Sequence, residues 1–393
     1  MSATNRIAAA AGLVAAALMF TGCSGLGQSG PARSPNPSAA PTAPEAVVDT
    51  PQQRFDLACE DLISYEQAKT VLGSAIRPAA WQTDGTSIEL AGYALEQSGG
   101  MACMWSDGMP ITQDTGYQQA GARVAIRPES QERWDQYAIQ YGAVTGPGAA
   151  YGSSALGPRC VGGAEDGGYT DCMLEFSDHG YWTDVTLYQV GSAKGLTEDA
   201  AQALAKPIFD RIAAAVEDLP APAPALEPRN AKRLPGACND VANIDNVRSA
   251  LATRFELAYG IPGGGSIPGT IMTDDAAGIC VLGLAESDQS IGWFVWLEGG
   301  AVAYDRAVVP AVARGSARSV TLAGMREGDA AAIECTDSQQ DCVLDLRSSG
   351  NWIRTRILAH GHIDNGVPVV ISAADVATAR ANITKLGTLL LKS

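Results

Sequence analysis

The sequence predicts an α+β fold in two tandem domains, and three observations carry that reading. Four cysteines occur twice in the same order: Cys59, Cys103, Cys160 and Cys172, then Cys238, Cys280, Cys335 and Cys342, at offsets of 179, 177, 175 and 170 residues. Such a slow, one-way drift is what a duplicated domain gives when its second copy has shortened a few loops. The stretch DCMLEFSDHGYW from residue 171 is echoed by DCVLDLRSSGNW from residue 341. Cys172, Leu174, Gly180 and Trp182 thus match Cys342, Leu344, Gly350 and Trp352 at equal spacing. Finally, each copy has a strand-rich middle flanked by helical patterns, the element order of an α+β layer.

The chain opens MSATNRIAAAAGLVAAALMFTGC, with one charge at Arg6 and then an apolar run of 14 residues from Ile7 to Phe20. That run is short for a membrane span but suits the apolar core of a secretory signal. Small residues directly before a cysteine are the pattern of a bacterial lipoprotein signal, although Phe20 stands where leucine is usual. Residues 1–22 are therefore expected to be a signal peptide, with Cys23 as the lipid-bearing first residue of the mature chain. Residues 23–50 are Ser, Pro, Ala and Gly with almost no bulky apolar side chain. They are expected to form a disordered tether, because such a segment cannot bury enough surface to offset its ordering entropy.

The first domain is placed at 51–218 and the second at 234–393, separated by a Pro/Ala linker over 219–233 whose alternating Ala and Pro favour an extended spacer. Each copy opens with a cysteine and a short helix. Ser64 and Gln67 form a capping box in the first, and Asn243 is the N-cap in the second. Tyr65, Ala68 and Leu72 are predicted to make the buried stripe, matched by Ile244, Val247 and Leu251. MACMW (101–105) and GICVL (278–282) read as strands. Leu174 and Trp182, like Leu344 and Trp352, lie on two strands with glycine in the turn between. Each copy closes with a long amphipathic helix. One runs from about Thr197 to Leu219 with an interruption at Pro207. The other starts at a Ser372/Asp375 capping box and buries Val376, Ile383, Leu386 and Leu390.

Eight cysteines allow 105 pairings, but duplicated domains should pair alike within themselves. Sequence order then gives Cys59–Cys103 with Cys160–Cys172, and Cys238–Cys280 with Cys335–Cys342; the second pair of each copy suits a hairpin clasp. Disulfides persist in exported proteins, so cysteine usage agrees with the signal sequence.

The first copy reads C59-x-x-L62-x-S64-x-E66-x-A68-x-x-V71-L72-G73, followed by C103-x-W105. This resembles a family of actinobacterial envelope lipoproteins of unknown function, and more distantly the extracellular sensor domain of actinobacterial serine/threonine kinases. The resemblance covers most of residues 55–218 and weakens in the second copy, where Leu251-Ala252 replaces Leu-Gly and Leu282 replaces Trp. It implies in each copy a curved antiparallel sheet packed with its opening and closing helices, two disulfides, and a groove on one side.

The formal charge is −16. Residues 51–218 carry 10 basic and 23 acidic side chains, and residues 234–393 carry 12 and 17. A chain this acidic is a poor binder of nucleic acid, whose phosphates require clustered Lys and Arg. No G-x-S-x-G, C-x-x-C or phosphate-loop lysine occurs. Asp178-His179 reads as a turn, and YGIPGGGSIPG (259–269) as a flexible loop. No catalytic residue, cofactor or metal site is expected. The strand before Asp364-Asn365-Gly366 places Trp352, Arg354, Arg356, Leu358, His360 and His362 on one face by alternation. Arg354, Arg356, His360 and His362 are the candidate binding face, because arginine forks suit carboxylate and phosphate. The expected whole is a lipid-anchored protein on the outer face of the cell membrane. It would bind or sense a small molecule, a lipid or an envelope component. The alternative is a structural protein presenting surfaces to an envelope-protein partner.

Overall fold

A computed structural model of the chain describes residues 53–392, apart from 74–75, 80–89, 107–119, 130, 164–167, 193, 224–230, 252–255, 261–266, 268–276, 285–289, 337–340, 359–362, 365–366 and 369–372. The signal peptide, Cys23, the tether, Ser372, His360 and His362 lie outside the described residues.

The fold is α+β, with two seven-stranded antiparallel sheets. The first lobe contributes β1 (Arg77–Ala79), β2 (Met101–Ser106), β3 (Gly121–Pro128), β4 (Val144–Thr145), β5 (Ser154–Gly162), β6 (Thr170–Asp178) and β7 (Tyr181–Tyr188), in the order β1-β2-β3-β7-β6-β5-β4. The second contributes β8 (Leu257–Gly260), β9 (Ala277–Leu284), β10 (Ser290–Leu297), β11 (Arg318–Ser319), β12 (Ala330–Thr336), β13 (Asp341–Ser348) and β14 (Asn351–Leu358). Read from β8, its order is β8-β9-β10-β14-β13-β12-β11, the same topology element for element. A small hairpin of β15 (Ile363–Asp364) and β16 (Val367–Pro368) follows.

The helices correspond in the same way, except that α3 of the first lobe has no counterpart among the described residues. The first lobe has α1 (Cys59–Leu62), α2 (Tyr65–Leu72), α3 (Leu90–Gln97), α4 (Gln131–Tyr141) and α5 (Glu198–Glu217). The second has α6 (Cys238–Val241), α7 (Ile244–Leu251), α8 (Ala301–Arg314) and α9 (Ala373–Leu390). The Ser64 hydroxyl accepts from Gln67 N–H at 3.3 Å while the Gln67 side chain reaches the Ser64 N–H at 3.2 Å, closing the predicted capping box. Asn243 Oδ1 accepts from the amides of Asp245 and Asn246. In α2, Ala68, Val71 and Leu72 are buried, but Tyr65 is 53% exposed. Tyr65 occupies the first helical position, and Val71, one turn beyond Ala68, completes the buried stripe in its place. Helix α5 continues through Pro207 as one element, buried along Ala201, Ala205, Ile208, Phe209, Ile212 and Val216. Pro207 falls on the exposed side, where water can take up the carbonyl it leaves unpaired.

All four predicted disulfides form: Cys59–Cys103, Cys160–Cys172, Cys238–Cys280 and Cys335–Cys342. The first of each lobe ties the opening helix to a strand. The second joins residues directly opposite one another on adjacent strands. Replacing Cys160 and Cys172 together by serine is expected to destabilise the chain by about 2–4 kcal/mol through loss of loop closure in the unfolded state. The midpoint of urea unfolding measures this.

The β6–β7 and β13–β14 hairpins turn on two residues each. His179 (φ 49°) precedes Gly180 (φ 83°), and Ser349 (φ 53°) precedes Gly350 (φ 82°). Two successive left-handed residues match the twist of the flanking strands, which explains the repeated glycine. Both ends of the linker lie against these turns: the Tyr181 hydroxyl donates to Pro220 O, and Lys232 N–H donates to Ser349 O.

Alternation along the strands splits each sheet into two apolar faces. One face of the first sheet, including Val124, Leu174, Val185 and Leu187, packs with α2 and α5. The matching face of the second, including Leu282, Phe294, Leu344, Ile353 and Ile357, packs with α7 and α9. The opposite faces join in one cluster that contains Trp182 and Met104 of the first sheet, Trp352, Val295 and Leu297 of the second, and residues of α3, α4 and α8. The two lobes therefore share a core. The strand face that alternation assigned to solvent or ligand is an interior layer.

Candidate functional site

Two polar assemblies interrupt this shared layer, and they occupy equivalent places. In the first lobe Glu175 (β6) stands directly across from Asp184 (β7) on the same face. Glu175 accepts the Tyr137 hydroxyl at 3.0 Å and Trp182 Nε1–H at 3.3 Å. Trp182 is held by Trp134 and Tyr137, whose ring centroids lie 5.3 and 4.5 Å away. Asp184 Oδ2 accepts the backbone amide of Ile267 from the second lobe at 3.2 Å. Burial raises the Glu175 carboxyl to about 9, and the nearby Asp184 charge adds to this against the opposing hydrogen bonds of Tyr137 and Trp182. Burial likewise raises Asp184 to about 6, against the Ile267 amide and the Arg123 charge. Two carboxylates this close in a low-dielectric layer do not both ionise near neutrality, so the pair retains a proton.

In the second lobe Asp345 (β13) and Arg354 (β14) take the places of Glu175 and Asp184, again as cross-strand neighbours. Arg354 Nη1 donates to both Asp345 oxygens, at 3.1 and 3.0 Å, and Trp352 Nε1–H donates to Oδ1 at 2.8 Å. Asp345 is 3% and Arg354 5% exposed. Burial still raises the Asp345 carboxyl, opposed by Arg354 and then Trp352. The duplicated Trp–acid contact has thus been kept in both lobes, while its third member has become arginine in one and aspartate in the other.

Each assembly is covered by the other lobe. Tyr93 of α3 lies edge-on to Trp352 at 5.3 Å. Beside it Glu96 pairs with Arg306 of α8 at 2.7 Å, and the Gln97 side chain donates to Glu298 O. Reciprocally, Ile267 of the second lobe is fully buried in the shared cluster and holds Asp184. The lobes exchange caps across the layer.

A second feature lies on the outside. Edge strand β11 and helix α9 border a cleft of about 360 Å³, lined by Arg318, Ser319, Thr321, Arg380 and Thr384 above an apolar floor that includes Ile333. Arg318 and Arg380 are exposed and make no ion pair among the described residues.

Of the face predicted from sequence, Arg354 is not available to a ligand: it is buried against Asp345 beneath the first lobe. Arg356 is half-buried and already engaged. Strand alternation was read correctly, but a single sequence does not reveal that the second face of each sheet is covered by the other copy. No family model, curated protein or solved structure matches the chain. Among the described residues no cluster of His, Cys, Asp and Glu could hold a metal ion, and no helix is long and apolar enough to cross a membrane. Sequence reasoning missed Glu175, Asp184 and Asp345, and the only available signal was the acid five residues before each repeated turn glycine (Glu175–Gly180, Asp345–Gly350). It also missed Arg318 and Arg380, which lie 62 residues apart and meet only in the fold.

Proposed function

We propose that this chain is a lipid-anchored, extracytoplasmic and non-catalytic binding module, tethered through Cys23 to the outer face of the cell membrane and related to the envelope lipoproteins its first copy resembles. The observation that carries the binding reading is the cleft between β11 and α9, an exposed concavity with two arginines that make no ion pair among the described residues, on a chain of net charge −16. The signal pattern ending at Cys23 and the four disulfides support an exported location. The acid pair is less suited to catalysis than to cohesion: three of its four oxygens are taken up by Tyr137, Trp182 and the Ile267 amide, groups that join elements and lobes.

The shared apolar layer favours a second reading, a structural lipoprotein whose rigid pair of lobes presents surfaces to an envelope-protein partner. Native mass spectrometry separates the two. Residues 45–393, the larger of the chain's two units, are incubated with envelope extract and weighed. A reproducible added mass of small-molecule size is the expected result. A bare protein mass, with a protein partner recovered by crosslinking, would replace the binding reading with the structural one.

A further inference from the structure

We propose that the β11–α9 cleft is a phosphate site, recognising a phosphate group that bears an organic substituent; this inference rests on the binding reading above and names its ligand class. Two features of the cleft converge on an oxyanion. Arg318 and Arg380 approach it from different elements, a strand and a helix, and neither is neutralised by a carboxylate among the described residues. Planar guanidinium groups donate in pairs to phosphate oxygens. Elsewhere in this acidic chain Arg127, Arg248, Arg306, Arg326, Arg347 and Arg354 have each found a carboxylate.

Ser319, Thr321 and Thr384 also line the space, although Ser319, registered against Ala332, lies on the strand face opposite Arg318 and Ile333. Thr384 lies four residues beyond Arg380, so the two share one face of α9. Its hydroxyl donates to Arg380 O at 2.7 Å and so has no proton left for an anion, while the Ser319 and Thr321 hydroxyls have no hydrogen-bond partner among the described residues.

The second feature is the backbone. β11 begins its sheet and has a partner on one side only. Val320 N–H donates inward to Ala331 O, so alternation turns the amides of Ser319 and Thr321 to the open edge. Arginines and edge amides together form a donor-rich cleft with no carboxylate in its lining. The net charge of the chain does not prevent this, because exposed charges beyond about 10 Å are screened at 0.1 M salt. The volume falls within the range of small-molecule sites, about 300–1,000 Å³, and exceeds what a bare phosphate needs. Such a group could come from a soluble phosphate ester or from the headgroup of a membrane phospholipid.

The test is calorimetric titration of the full chain in neutral detergent with inorganic phosphate, beside the Arg318→Ala/Arg380→Ala variant. Both side chains are exposed, and circular dichroism confirms that the variant is folded. Wild type is expected to bind, with affinity falling as salt rises, and the variant to bind at least about tenfold more weakly. Flotation of residues 45–393 with phosphatidylglycerol vesicles, against phosphatidylcholine alone, identifies the source: selective binding lost in the variant assigns a headgroup, and phosphate binding without flotation assigns a soluble ester. Absence of binding in both arms, or equal binding by variant and wild type, overturns the proposal. If envelope extract still adds mass to the variant, the phosphate site fails while the binding reading stands; no added mass to either protein removes both.

Discussion

Replacing Arg354 by alanine is expected to destabilise the protein by about 3–5 kcal/mol, the range for breaking a buried ion pair by removing one partner. Asp345 would keep the Trp352 N–H and lose both contacts to the guanidinium. It sits at 3% exposure under the first lobe, where water cannot replace what is lost. The carboxyl is already pushed up by burial. Without Arg354 it should be driven further, so part of the penalty is relieved at acid pH by protonation. The double substitution Asp345→Leu with Arg354→Met should recover most of the loss, because apolar groups of similar volume remove the unpaired charge. For contrast, Arg306→Ala breaks a pair in which Arg306 is 48% exposed and should cost at most about 1 kcal/mol. Denaturant unfolding of the three variants tests this ordering. A single Arg354→Ala as mild as Arg306→Ala would mean that the two lobes do not seal this layer.

The second large effect is pH dependence. Glu175 is raised from 4.5 to about 9 and Asp184 from 3.8 to about 6. Between each pair of values the folded chain holds a proton that the unfolded chain has released. The unfolded state then binds fewer protons, and stability falls as pH rises. For Glu175 this stabilisation is fully present below 4.5 and is lost as pH climbs through about 9; for Asp184 the window ends near 6. One proton gives a slope of up to about 1.4 kcal/mol per pH unit. Asp171 and Asp345 are also raised by burial and act in the same sense. The melting temperature is therefore expected to decline from pH 6 to 9. Glu175→Gln should flatten the decline while keeping an acceptor for Tyr137 and Trp182. Asp184→Asn should remove the window that ends near pH 6 and, by taking away the charge that adds to the Glu175 shift, also lessen the decline above it. A melting temperature that rises over this range, or a slope unchanged by Glu175→Gln, would show that the pair does not share a proton.

Much of the fold was legible because local chemistry and duplication agreed. The cysteine order gave the pairing, the Ser64 and Asn243 caps gave the helix starts, and the glycine turns gave the hairpins. Tyr65 was misplaced because helical periodicity does not tell which of two adjacent stripes the sheet takes. The candidate site was harder to read. Arg354, read as part of a cationic stripe, is the buried partner of Asp345. Alternation put it on the right face, but only the first lobe's docking decides that this face is dry. The loop over 259–269 looked merely flexible, yet Ile267 within it crosses to cap Asp184. The arginine cleft depends on Arg318 of β11 meeting Arg380 of α9, a long-range proximity that spacing does not encode.

The central claim is that the two copies form one body through a shared core. Scanning calorimetry of residues 45–393 tests it most directly. A single transition with calorimetric and van't Hoff enthalpies equal is the predicted result, and Arg354→Ala should lower that one transition as a whole. Two separate transitions, only one of them shifted by Arg354→Ala, would contradict it and make the lobes independent domains on a linker.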